Sequence, residues 1–178
     1  MTAAPDSSPR DDIDLNRLEA WLKGEIEGLE GPLRLTKFPG GQSNPTYRLD
    51  AGGAAYVLRR KPFGPTLPSA HAVDREHRLI AALHPTGFPV ARPFALCEDD
   101  SVIGSIFYVM ELVDGRSLAD GSLPGETPRA RGEMYRALTT ALAALHSVDH
   151  EAAGLADYGR PGNYFERQIG RWTKQYRA

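Results

Sequence analysis

The chain has 178 residues with 21 Lys and Arg against 23 Asp and Glu, a formal net charge of −2. No global basic field therefore favours nucleic acid or an anionic membrane surface. Its only cysteine, Cys97, rules out an intrachain disulfide framework and a Cys-rich zinc site, and no hydrophobic run reaches membrane-spanning length.

Residues 1–11, rich in Pro, Ser and Asp, read as a disordered tail. They lack the basic-then-apolar shape of a signal peptide, so a cytoplasmic location is expected. Leu15, Leu18, Leu22, Ile26 and Leu29 then recur at helical spacing and predict an amphipathic helix. Strands are expected near 33–38, 45–50 and 54–60. A Pro/Gly passage from Pro62 to Pro68 leads into a helix over Ser69 to His84, whose inward face carries Val73, Glu76, Ile80 and Leu83. Strands at 93–97 and 104–112 follow, joined by a turn at Glu98, Asp99 and Asp100. The second reads as buried on both faces and ends at the turn signal Asp114-Gly115. Pro128 opens a helix through Met134, Leu138, Ala141 and Leu145 to His146. Asn163 is expected to cap a last helix, along which Phe165, Ile169, Trp172 and Tyr176 form an apolar face. The sum is an α+β chain with a five-stranded, largely antiparallel sheet.

Three features carry chemistry. Between the first two strands, Gly40 and Gly41 permit close backbone approach and positive φ, while Gln42, Ser43, Asn44 and Thr46 supply polar side chains. Such a hairpin can lay its N–H groups over a phosphate chain, although alone it fits a plain surface turn better. Second, the strand Ala55 to Lys61 ends in the cations Arg59, Arg60 and Lys61. Third, Glu76 lies on an inward helix face, where a carboxylate needs a partner. Arg59 is the expected partner; the competing reading leaves both residues solvated.

The order of these parts resembles the small lobe of a protein kinase. The stretches FPGGQSNPTYRL, YVLRRKP, SAHAVDREHRLIAAL, FYVMELVDGR, LAALHSVD and RQIGRWTKQY resemble the aminoglycoside phosphotransferase family, in particular its bacterial and acyl-CoA-dehydrogenase-associated members. The resemblance implies a kinase-like small lobe with a leading helix over 12–112, a linker over 113–125 and the start of a helical large lobe over 126–178. It further implies that Gly41, Gln42, Ser43 and Asn44 position a nucleotide, that Arg59 reaches the α- and β-phosphates, and that Glu76 holds Arg59. Met110 would guard the back of the adenine pocket. Glu111 would offer its carbonyl and Val113 its N–H to the adenine. The implied cofactor is ATP with Mg2+, and the implied reaction is phosphoryl transfer to the hydroxyl of a small molecule.

One departure matters. Such kinases use an Asp to orient the attacking hydroxyl, and an Asn and a second Asp to hold magnesium. The family carries these on an H-G-D-x-x-x-x-N loop and a later I-D-W-like segment, and neither motif occurs here. Asp157 to Asn163 has the wrong spacing; Asp157 and Tyr158 read as a turn. The resemblance therefore implies the nucleotide-binding half of a longer enzyme, with the magnesium ligands elsewhere and no activity in this part alone. The alternative is a non-catalytic nucleotide-binding or interaction module. Exposed apolar helix faces at 127–146 and 163–177 would favour self-association. His146, Asp149 and His150 lack the further ligands of a metal site, and His71, His77 and His84 read as surface or capping residues.

Overall fold

A computed structural model of the protein describes residues 13–39, 44–64, 71–160 and 162–177. The expected tail, Gly41, Gln42 and Ser43, and Ser69 lie outside the described residues; His71 and Ala72, expected inside the helix from Ser69, are described and not helical. Helix α1 spans Leu15–Glu25 and is capped by Asp14, whose Oδ1 accepts from the N–H groups of Asn16 (3.0 Å) and Arg17 (3.1 Å). It stops earlier than the apolar repeat suggested. Ile26 turns to extended backbone (φ −118°, ψ 107°), so Ile26 and Leu29 enter the core from the segment after the helix.

Five strands follow: β1 (Arg34–Lys37), β2 (Thr46–Ala51), β3 (Ala54–Arg60), β4 (Pro93–Cys97) and β5 (Phe107–Glu111). They form one antiparallel sheet in the order β1-β2-β3-β5-β4. The β2–β3 hairpin closes through Gly52 and Gly53, both with positive φ (54° and 88°), the two-residue turn that matches strand twist. Strand β5 is shorter than the expected 104–112. Its predecessors Ser101 to Gly104 fold into a turn, with Gly104 at φ 82° donating to Asp100 O at 2.7 Å.

Alternation along the strands gives the sheet two unlike faces. Tyr47, Leu49, Leu58, Phe107 and Val109 join Leu18 and Leu22 of α1 in one core, with Trp21 edge-on to Phe107 at 5.1 Å. Cys97 is buried in the same core, and burial pushes its thiol up, which suits a packing residue better than a nucleophile. The other face carries the row Thr46, Arg59 and Tyr108, directly opposite one another across β2, β3 and β5. Helix α2 (Val73–Leu83) packs here, burying Val73 and Leu83 at its two ends.

Beyond β5 the chain runs without regular structure to Thr127, which caps α3 (Pro128–His146) by accepting from Ala130 N–H. Within the expected α3 face, Leu138 and Leu145 are exposed rather than layered against a partner. Helix α4 spans Tyr164–Arg177, and Phe165, Ile169, Trp172 and Tyr176 are likewise exposed. Asn163 precedes α4 with a left-handed φ of 47°, unlike the extended backbone of an ordinary N-cap. No helix among the described residues is long and apolar enough to cross a membrane.

Candidate functional site

The register explains how Arg59 reaches its partners. Arg60, next in sequence, points to the opposite face, where it is buried under the Phe63 ring (3.7 Å) and donates to the Tyr47 hydroxyl (3.1 and 3.3 Å). Arg59 faces α2. Its Nε donates to Glu76 Oε2 at 2.6 Å and its Nη2 to Glu76 Oε1 at 3.3 Å, a forked pairing across β3 and α2. Its Nη1 donates to Thr46 Oγ1 (2.8 Å) and to the Asn44 carbonyl (3.3 Å). A guanidinium has five N–H donors; one on Nε, two on Nη1 and one on Nη2 are engaged. Among the described residues the second Nη2 hydrogen has no acceptor, and the side chain keeps 28% exposure.

Glu76 is held just as fully. Oε1 accepts from Asn44 Nδ2 (2.9 Å) as well as Arg59, and Oε2 accepts from the Tyr108 hydroxyl (3.3 Å). Asn44 is only 3% exposed. Because a carboxylate only accepts, the Asn44 amide must turn its NH2 to Glu76. Its Oδ1 then faces His71 Nδ1 at 3.0 Å, so that nitrogen carries the hydrogen. His71 adopts a left-handed φ of 62°, uncommon for a bulky residue, immediately before α2. It is therefore part of the network rather than a surface residue.

Burial pushes the Glu76 carboxyl up, but the bond and charge of Arg59, with bonds from Asn44 and Tyr108, outweigh it and hold the carboxyl below its ordinary 4.5. Arg59 is raised by the same bond to Glu76. Burial and the Glu76 charge push the Tyr108 hydroxyl up, so it stays a neutral donor. A carboxyl lowered on folding contributes stability above pH 4.5 that is lost as the pH falls through the lower folded value. Glu76→Gln should therefore flatten the acid limb of a urea-stability profile, with wild type and variant converging below that range. A constant gap between the two curves down to full acid unfolding would show that the carboxyl is not shifted.

Met110, half-buried, lies opposite Val57 and Pro93. The Glu111 N–H donates to Arg92 O (2.8 Å), and its carboxylate accepts from Arg92 N–H (3.1 Å). Val113 is exposed at the start of the linker. Met110 and Glu111 thus end β5, the interior strand that carries Tyr108, and Val113 follows just beyond it. Of the hairpin tip, Asn44 is brought into the Arg59–Glu76 cluster. The bond from Phe38 N–H to Thr46 O (3.0 Å) closes the strands beneath it. Sequence reasoning missed Tyr108 and His71. Tyr108 was hidden in an apolar strand, and only its position opposite Arg59 marks it.

A five-stranded antiparallel sheet in this order, with a strand cation paired to a helix carboxylate and a buried strand leading into a linker, is the small lobe of a kinase-like fold. The sequence model of the APH phosphotransferase enzyme family matches residues 34–178, and the chain belongs to that family. It is 45% identical over 174 residues to acyl-CoA dehydrogenase family member 11 of the rat, covering 96% of this chain and 22% of that protein. It is 51% identical over 170 residues to the chicken member 11 (93% and 22%), and 46% identical over 167 residues to the mouse member 10 (93% and 16%). A crystal structure from Ralstonia eutropha JMP134, provisionally described as an aminoglycoside phosphotransferase, superposes with a TM-score of 0.79 at 51% identity. That match covers 93% of this chain and 47% of the other. The chain thus spans about a fifth of the length of these curated relatives and about half of the solved one.

Proposed function

We propose that this chain is the nucleotide-binding part of an ATP-dependent phosphotransferase that moves the γ-phosphoryl group to the hydroxyl of a small molecule in the cytoplasm. The observation that carries this reading is the state of Arg59. Four of its N–H groups are tied to Glu76, Thr46 and Asn44, and the remaining one has no acceptor among the described residues, at the foot of the β1–β2 hairpin. A guanidinium fixed in this way presents a directed charge to phosphate oxygen at little further loss of side-chain freedom. Gly41, Gln42, Ser43 and Asn44 would bring backbone and side-chain donors to the phosphates. Glu111 and Val113 would meet the adenine edge, and Met110 would back it.

ATP supplies the group to be transferred; these residues bind and orient it. Among the described residues no three His, Cys, Asp or Glu side chains are arranged to hold a metal. Magnesium would enter on the phosphates, and the Asn and Asp that hold it in such kinases would come from motifs this chain does not carry. No motif of this chain supplies the Asp that orients an attacking hydroxyl, so the chain by itself is expected to bind nucleotide without transferring phosphate.

Calorimetric titration with ATP and with adenosine tests this. Arg59→Ala should weaken ATP binding by about 10- to 100-fold, the worth of one charge-assisted bond, and leave adenosine unchanged. An equal loss for both ligands would remove Arg59 from the phosphates.

A further inference from the structure

We propose that Arg75 and Arg78 of α2, together with Asp157 and Tyr158, form a latch that sets the position of α2 and so holds Glu76 against Arg59. Only its consequence for ATP rests on the functional reading above; the mechanical role stands on geometry.

Helix α2 is weakly fixed by its own sequence. Ala72 provides no side-chain bond at its N-terminus, and Val73 and Leu83, its buried residues, lie at opposite ends. Glu76, in the first turn, ties one flank of the helix to the sheet through Arg59, Asn44 and Tyr108; the neighbouring flank needs an anchor of its own. Arg75 and Arg78 stand three residues apart on one face, and Glu76 lies about 100° further round the helix from Arg75. Rotation of α2 about its axis would disturb both flanks together.

The two arginines converge on one turn of the chain after α3. Arg75 lies over the Tyr158 ring (4.4 Å), and its Nη2 donates to the Tyr158 carbonyl at 2.6 Å; the Tyr158 hydroxyl donates back to Arg75 O at 3.2 Å. Arg78 grips the Asp157 carboxylate with both Nη atoms and donates to Gly154 O at 3.0 Å. The turn is seated by Leu155, which is buried. A single exposed ion pair contributes little to stability. Two planar guanidiniums held by a ring, a carboxylate and two carbonyls instead impose a geometry. Asp157 and Tyr158 therefore do more than turn the chain, and all four are positioning residues.

The test uses the full chain and two readouts. In Asp157→Ala/Tyr158→Ala, amide hydrogen exchange over 73–83 should quicken about tenfold while β2 and β3 amides keep their rates. ATP affinity should fall about five- to tenfold with adenosine affinity unchanged. The exchanged pair, Arg78→Asp with Asp157→Arg, should recover part of both effects relative to Asp157→Ala. Unchanged α2 exchange would overturn the latch, as would α2 and sheet amides quickening together, the mark of general destabilisation. Should wild type fail to prefer ATP over adenosine, the nucleotide reading falls, and α2 exchange alone decides the latch.

Discussion

Phe107→Ala is expected to destabilise the protein by about 3–5 kcal/mol, the larger part of what a small domain possesses. Phe107 is fully buried in β5, lies between Arg60 of β3 and Cys97 of β4, and receives the edge of Trp21 from α1. Its removal takes away the largest fully buried apolar side chain among the described residues, and the aromatic contact between β5 and α1. Backbone pairing prevents β5 from sliding to refill the space, so most of the cavity should persist. For a chain of this size the melting temperature should fall by roughly 10 °C. Urea unfolding followed by tryptophan fluorescence suits the measurement: Trp21 reports on this core, whereas Trp172 is exposed at 65% and contributes a nearly constant signal. A loss below about 1 kcal/mol would mean that α1 does not pack on the sheet in solution.

Alternation and spacing made most of this lobe legible in advance. The five strands and the helices α1 and α2 form close to where the sequence places them, because each buries one face and the period of that face is written in the sequence; α3 and α4 follow their apolar periods too, although those faces are exposed among the described residues. Departures occur where local backbone chemistry overrides the period. Helix α1 ends at Glu25 although its leucine repeat continues, and β5 begins late because Gly104 sustains a turn. Arg59 and Glu76 were readable from the chain because each broke an apolar pattern. Tyr108 and His71 were not. The first acts through strand register and the second through a left-handed backbone, and neither leaves a periodic trace. The choice of Arg59 over Arg60 has a simple physical basis: neighbours on a strand face opposite sides, and only one side carries α2.

The same row of side chains separates two roles that one substitution would confuse. Glu76→Arg should lower stability by about 3 kcal/mol, since it removes a partly exposed forked pair and sets two guanidiniums face to face at short range. This lies between the small worth of an exposed pair and the loss expected at a dry one, because the two side chains keep 28% and 36% exposure. ATP affinity should fall with it, as Arg59 loses the carboxylate that aims it. Adding Arg59→Glu exchanges the charges across β3 and α2 and should restore part of the stability. Recovery stays incomplete, because the new carboxylate would face the Asn44 carbonyl that Arg59 now donates to. ATP affinity should not return at all, because a negative group would then stand where the phosphate oxygens are met. Urea unfolding and ATP titration of the two single variants and the exchanged pair complete the cycle. If ATP affinity returned in step with stability, Arg59 would be a structural cation and the phosphate assignment would fail.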